Sequence, residues 1–403
     1  MSARALPMAG AGPPRKIRVA HVITRLCKGG AQENTFHTVR LANRTRFEVD
    51  LISGPTHGHE GSIEDAVRAA GIPILREPFL VRPPAPVRDT LTLYRLIRRF
   101  RAGRYDIVHT HTSKAGLLGR VAAERAGVPV VVHTPHGNVF HGYFNRYLTR
   151  LFVWMERHGA RRSDRIIELT AGGVDEHLAE GIGQRAQYTV IFSGIDTAPF
   201  EEAVAQRDEV RGSLGAGAGA LLVGGVGRLE RIKGFAYFVE MAKAVAAVEP
   251  QARFVLAGQG SLDRELREQA KPLGERFRFL GPRDDVPRLM AAMDLLVAPS
   301  LNEGMGRVLL EAGAAGTAAV ASRVGGIPDV LDDGETGILV PPRDAAALAG
   351  AVLELLRAPE RRQLMGATAR AKVVPQFGLE HMVRRIEVLY EELIHEKSLD
   401  AGG

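Results

Sequence analysis

Twice along its length the chain alternates short β-branched apolar runs with stretches of helical periodicity. The first series starts at Ile17 and reads IRVAHVIT, VDLIS, DIVHTH, VPVVVHT, RIIELT and YTVIF, with helical stretches such as KAGLLGRVAAERAG between the runs. The second reads LLVGGVGR, ARFVLAG, RFRFLG, DLLVAPS, AAVASR and GILV, separated by stretches such as FAYFVEMAKAVAAV and AAALAGAVLELLRA. Continuous apolar runs are the mark of strands buried on both faces, and strand alternating with helix calls for a parallel sheet covered by helices. Between the two series a charged stretch and LGAGAGA break the pattern, which predicts a linker over 197–219. The expected organisation is therefore a disordered tail over 1–14, an α/β domain over 15–196, the linker, and a second α/β domain over 220–375. A closing segment, 376–403, carries a helix that could return to the first domain. A length of 403 residues suits two such cores better than one.

Composition excludes several classes. Hydrophobic residues at 45% and charged residues at 25% describe a globular chain with ample core. No run approaches the roughly 18 apolar residues of a membrane span, and the first residues lack the cationic start and apolar run of a signal peptide, so a cytoplasmic location is expected. The single cysteine, Cys27, rules out an internal disulfide framework and a multi-cysteine metal site. The net charge of +7 is lopsided: residues 1–200 hold 28 Lys or Arg against 17 Asp or Glu, and the rest 25 against 29. A basic first half faces anionic lipid or nucleic acid readily. No aromatic-basic stacking module accompanies the charge, which argues against nucleic acid.

Three segments of the second half bear on chemistry. In GRLERIKG, Arg228 and Lys233 fall between a strand and a helix, at the sheet edge where doubly wound folds bind ligands. Two cations beside a glycine turn and a helix amino terminus suit a diphosphate, although solvated charges on an ordinary turn would read the same way. In NEGMGRVLLE, Glu303 and Glu311 are eight residues apart, about 12 Å along a helix axis. Such carboxylates can grip hydroxyl groups on either side of a diphosphate, with Gly304 and the amides of Met305, Gly306 and Arg307 between them; two unrelated surface glutamates are the alternative. In AGQGSLDREL, Gly258 and Gly260 leave a strand where a nucleotide could approach the backbone.

In the first half, Gly29 and Gly30 of CKGGAQENT end the first strand and precede a helix, a place for close ligand approach or simply a tight turn. No GxGxxG is present, against a dinucleotide oxidoreductase, and HExxH, GxSxG, Walker and Asp-x-Asp motifs are missing too. His109, His111, His133 and His136 gather at two strand ends; a metal site needs considering, but no acidic ligand shares their motifs and core histidines read equally well. No metal and no cofactor are expected, with Arg228 and Lys233 as substitute cations. His111, Lys114 and Asn138 are acceptor-side candidates.

The ordered set GGAQ, HTHTSKAG, HG, SGID, GRLERIKG, GQG, PSLNEGMGRVLLEAGAAG and GGIPDVLDDGETGILVPP resembles glycosyltransferase family four over about residues 17–395. The resemblance implies the GT-B fold, two Rossmann-like domains facing across a cleft, and sugar transfer with retention from a nucleotide diphosphate. It further implies that Arg228 and Lys233 bind the diphosphate, Glu303 the sugar and Glu311 the ribose, with Gly29 and Gly30 near the phosphate and His136 bordering the sugar. Many relatives carry Pro where this chain has Gly306, and an aromatic or Leu in place of Met305. HTHTSKAGLLGR and HGNVFHGYFNRYL are most similar to enzymes extending bacterial polysaccharides or lipid-linked oligosaccharides, whose donors are often UDP-hexoses or UDP-N-acetylhexosamines. A nucleotide-sugar epimerase or a non-catalytic binding subunit would share the architecture.

Two basic amphipathic segments raise the possibility of peripheral attachment to an anionic membrane. In RDTLTLYRLIRRFRAGR, Leu93, Leu96, Ile97 and Phe100 recur at helical spacing with arginines off the stripe; FHGYFNRYLTRLFVWMERHGARR mixes Phe140, Tyr143, Phe144, Tyr147 and Trp154 with arginines. Both stripes could equally cover the first sheet.

Overall fold

A computed structural model describes residues 15–56, 61–137, 146–217 and 219–397. The expected tail over 1–14 and Asn138 lie outside the described residues. Among the described residues thirteen strands form two sheets. The first comprises β1 (Ile17–Ile23), β2 (Phe47–Ser53), β3 (Ile74–Arg76), β4 (Ile107–His111), β5 (Val130–Thr134), β6 (Arg165–Glu168) and β7 (Tyr188–Val190), in the order β3-β2-β1-β4-β5-β6-β7. The second comprises β8 (Leu221–Val226), β9 (Ala252–Ala257), β10 (Phe277–Gly281), β11 (Leu295–Ala298), β12 (Ala319–Ser322) and β13 (Gly337–Val340), in the order β10-β9-β8-β11-β12-β13. Strands pair in parallel, and each order reverses once, between β1 and β4 and between β8 and β11. Such reversals leave a crevice at the carboxyl ends of the two strands, where this architecture holds ligands.

By contacts the chain divides into two compact units. One takes the described residues up to Thr134, Arg162–Arg165 and those from Glu387 on; the other takes Pro135–Arg161 and Ile166–Ile386. The division falls within the helix Leu379–Glu396.

The segment expected as a pattern-free linker is helical. Phe200 and Val210, on the helices Ala198–Ala203 and Arg207–Ser213, and Leu214, just after the second, are buried in the same core as Leu222, Leu296 and Leu310. Arg207 and Arg211 donate to Asp294 at 2.6 and 2.8 Å and also to carbonyls at the end of the helix Val286–Ala292. Charge conceals the pattern here, because these arginines face carbonyls and a carboxylate rather than water.

The helix Pro86–Gly103 settles one of the two amphipathic segments. Leu96 and Phe100 are buried, with Leu93 and Ile97 packed against the same cluster of Val22, Ile52 and Val108. Its oily stripe covers the first sheet and is not available to a bilayer.

A histidine network closes the first unit. Parallel register places His21 on β1 beside His109 on β4. His21 Nδ1 lies 2.9 Å from His111 Nε2, while His109 bonds Thr134 Oγ1 at 2.8 Å and the Tyr390 hydroxyl at 2.5 Å; that hydroxyl is 3.3 Å from His21 Nε2. All are buried. Burial drives the His21 pKa from 6.5 down to about 3 and the Tyr390 hydroxyl well above its usual value. Between these two His21 values the unfolded chain binds a proton that the folded one refuses, so stability should fall as pH drops below about 6.5, by about 1.4 kcal/mol per pH unit from this group. Melting temperatures at neutral and mildly acidic pH check this; the pH dependence should flatten in His21→Gln, and an unchanged slope would refute it.

Candidate active site at the carboxyl edge of the second sheet

Four loops leave the adjacent strands β9, β8, β11 and β12 at one edge and bond to one another through their backbones. Leu229 N donates to Gln259 O at 2.9 Å, Leu301 N to Ile232 O at 2.8 Å, and Gly326 N to Glu303 O at 3.1 Å. Two glycines permit this closeness. Gly234 has φ 67°, and a Cβ there would sit 2.0 Å from Pro299 O; Gly258 has φ 143°, and its Cβ would sit 1.8 Å from Gly227 O. Gly260 likewise lies against Leu229 O. These glycines serve loop-to-loop packing, whatever a nucleotide also gains from them.

The loops bring Lys233 and Glu303 together at the β8/β11 reversal. Lys233 Nζ is ion-paired with Glu303 Oε1, and Ser300 Oγ donates to the same oxygen at 2.9 Å. Both side chains are mostly shielded, at 22% and 13% exposure, whereas Arg228 lies exposed near the rim. Glu230 accepts from Ser261 N and Oγ at 3.0 and 2.6 Å, and with Arg228 nearby its carboxyl is held below its usual range.

Glu303 and Glu311 stand on either side of a helix start, as expected, but the expected spacing of about 12 Å along one helix axis needs correcting. The helix is Arg307–Ala314, so Glu303 belongs to the preceding loop and only Glu311 to the helix, where it pairs with Arg307 at 3.3 Å. Gly306, at φ 78°, turns the chain from loop to helix, a conformation open to glycine but closed to proline. Met305 turns its side chain into the core at 5% exposure, while Gly304 is exposed.

The first unit's own strand reversal carries Gly29, half-buried, and Gly30, exposed, at the start of the helix Gly30–Leu41. Just beyond the ends of β1 and β4, Thr24 Oγ1 meets Thr112 Oγ1 at 3.1 Å. Two acceptor-side candidates are otherwise engaged. His111 is buried in the network with His21, because β4 is a central strand with both faces covered; Lys114 pairs with Asp89 at 2.5 Å and donates to Pro83 O at 2.5 Å. Of the four histidines weighed as metal ligands, only His109 and His111 meet, joined by His21, with one ring nitrogen each within 4.8 Å of the others. His133 instead bonds Thr110 Oγ1 at 2.9 Å. His136 follows β5 with φ 64°, and desolvation lowers its pKa to about 3, so its ring is neutral at physiological pH.

Sequence reasoning missed Ser300, although it stands three residues before Glu303 and a short hydroxyl there is well placed to bond the carboxylate. It also missed Arg231 and Arg343, which line a cavity of about 540 Å³ with Ile232, Leu301, Asn302 and Gly325. Arg343 adopts φ 63°, which no residue pattern announces.

Known proteins resemble this chain in sequence and in fold. The family model described as Glycosyl transferases group 1 matches residues 220–358, and that of the Glycosyl transferase 4-like domain matches residues 29–194. The UDP-Gal:alpha-D-GlcNAc-diphosphoundecaprenol alpha-1,3-galactosyltransferase of Escherichia coli is 31% identical over 393 residues, covering 95% of this chain and 98% of that one. The chain belongs to the group 1 glycosyltransferases. This glycosyltransferase is also 33% identical to the 2-deoxystreptamine N-acetyl-D-glucosaminyltransferase of Streptomyces fradiae, over 71% of each chain. Its fold is GT-B. HepE of Anabaena, solved with UDP-glucose, superposes with TM-score 0.77 at 24% identity over 93% of this glycosyltransferase and 100% of HepE. WaaG, a glycosyltransferase of lipopolysaccharide biosynthesis, superposes with TM-score 0.68 at 18% identity over 96% and 100%. Among the described residues no helix is long and apolar enough to cross a membrane.

Proposed function

We propose that this glycosyltransferase moves a hexose or N-acetylhexosamine from a UDP donor to a lipid-linked or glycan acceptor, with retention and without a metal ion. The observation that carries the reading is the Lys233–Glu303 pair at the β8/β11 reversal, where the lysine and Ser300 both bond Oε1. Oε2 is then the oxygen left to accept a sugar hydroxyl. Lys233 and the exposed Arg228 neutralise the charge that develops on the leaving diphosphate, and the start of the helix Arg307–Ala314 adds backbone amides from Met305 to Arg307. Glu311 accepts from the ribose, while His136, neutral, borders the sugar. The leaving phosphate takes the acceptor's proton on the face where the new bond forms. A lipid-linked acceptor is favoured because the Escherichia coli relative, similar over nearly its whole length, is named for a diphosphoundecaprenol substrate.

The test is a thermal-shift panel of nucleotide sugars in EDTA, followed by turnover with the stabilising donor. A ligand that binds only the folded state raises the melting temperature by mass action, about 2.7 kcal/mol at a hundredfold excess over Kd. A UDP-hexose or UDP-N-acetylhexosamine should do so, and sugar should reach a diphosphate-linked GlcNAc acceptor. Turnover that stops in EDTA and returns with manganese would overturn the metal-free reading; hydrolysis or epimerisation without acceptor would overturn transfer.

A further inference from the structure

A second pair of cations flanks Glu303. Arg231 lies in the short turn Arg231–Lys233, two residues before Lys233, and Arg343 follows β13. Both line the cavity of about 540 Å³ at the carboxyl ends of β8, β11, β12 and β13. Its wall runs up to Glu303: Asn302, the residue before it, lines the cavity, and so does Gly325, where a Cβ would sit 2.0 Å from Glu303 O. Arg228 belongs to the other flank, where it acts on Glu230, held by Ser261 beyond β9.

Two features of these arginines call for an anion. Neither guanidinium is hydrogen-bonded or ion-paired among the described residues. Arg343 also holds φ 63°, a left-handed conformation that is costly for a residue bearing a Cβ and that glycine adopts freely. Exposed as it is, Arg343 offsets that strain with no ion pair and little burial.

Sugar transfer supplies an anion of the right kind. A diphosphate-linked acceptor brings its negative charge close to that of the donor diphosphate, and the two repel unless each meets its own cations. With Arg228 and Lys233 on the donor, Arg231 and Arg343 remain for the acceptor, and guanidinium groups bond phosphate oxygens in pairs. Only one sugar ring separates the reacting hydroxyl from that diphosphate, and the recess begins one residue from Glu303. Glu176 and Asn302 also line it, which suits the hydroxyl groups of an attached sugar better than a bare anion.

We infer that the Arg231–Arg343 recess binds the diphosphate of a sugar-diphosphate acceptor, so that donor and acceptor phosphates lie on opposite flanks of Glu303. This inference rests on the reading that the acceptor carries a diphosphate.

The probes are a short-chain alkyl GlcNAc-diphosphate and the alkyl GlcNAc without phosphate. Protein saturated with UDP, which fills the donor site, should gain melting temperature from the first probe and not from the second. Arg231→Ala and Arg343→Gly should each abolish most of that gain and keep the shift that UDP itself produces. In turnover each should raise KM for the diphosphate acceptor by about tenfold or more and change kcat far less. Arg343→Gly separates this role from a structural one: free of ligand it should melt about 2 °C above the wild type, its strain relieved, and still hold the acceptor more weakly. An acceptor KM unchanged in both variants would overturn the inference. So would an Arg343→Gly protein that melts lower and binds UDP more weakly, since the arginine would then be structural. If the wild type transfers sugar to neither probe but binds the diphosphate through these arginines, the recess stands and the transfer reading falls. If transfer to the diphosphate probe survives replacement of both arginines intact, the transfer reading stands and the recess falls.

Discussion

Lys233→Ala should lower transfer by about 10²- to 10³-fold while the melting temperature of the donor-free protein stays close to that of the wild type, because its partner Glu303 is only part-buried and keeps Ser300 as a donor. Glu303→Gln should lose a similar factor, since an amide in place of Oε1 or Oε2 must turn a donor towards either Lys233 or the sugar. The two residues act as a bonded pair, so the double variant should be much less impaired than the product of the single effects. Steady-state kinetics of the three variants decide it. Near-normal turnover by either single variant would remove the pair from the active site, and multiplicative effects would mean that the two work independently.

Gly258→Ala should damage folding more than any single contact in the site. Its Cβ would lie 1.8 Å from Gly227 O, a backbone atom that is itself fixed by the Gly227–Ala257 and Leu229–Gln259 bonds, and the left-handed φ of 143° adds strain. A loss of about 3 kcal/mol or more is expected, a fall on the order of 10 °C in melting temperature. Gly350→Ala, in a helix with open space around the new methyl, should be neutral or stabilising by up to about 1 kcal/mol. Equal melting temperatures for the two variants would show that the loops can separate at little cost.

Much of the architecture was legible because parallel strands buried on both faces leave unmistakable apolar runs, as in VPVVVHT and LLVGGVGR. Lys233 and Glu303 were legible as well, each lying just beyond such a run. What escaped depends on partners that are distant in sequence. The pattern behind Phe200, Val210 and Leu214 was hidden by arginines that turn out to clamp Asp294. The role of His21 depends on the β1–β4 register, which no local spacing encodes. The stripe of Leu93, Leu96, Ile97 and Phe100 looked equally suited to a sheet or a bilayer, because both solvents are apolar. Gly258 and Gly260 read as openings for a nucleotide, when the nearest thing to them is the backbone of the next loop.

Tyr390 has a consequence for biosynthesis. It contacts His109, 281 residues earlier, from the helix Leu379–Glu396, so the histidines of β1 and β4 leave the ribosome long before the residue that caps them. Until then three imidazoles wait on an open sheet face, and the nascent amino-terminal unit is obliged either to remain unfinished or to find temporary cover. A nonsense mutation between the codons of Phe377 and Tyr390 would spare every loop at the second sheet's edge and yet strand the first sheet without its cap, turning an apparently harmless truncation into a substrate for quality control.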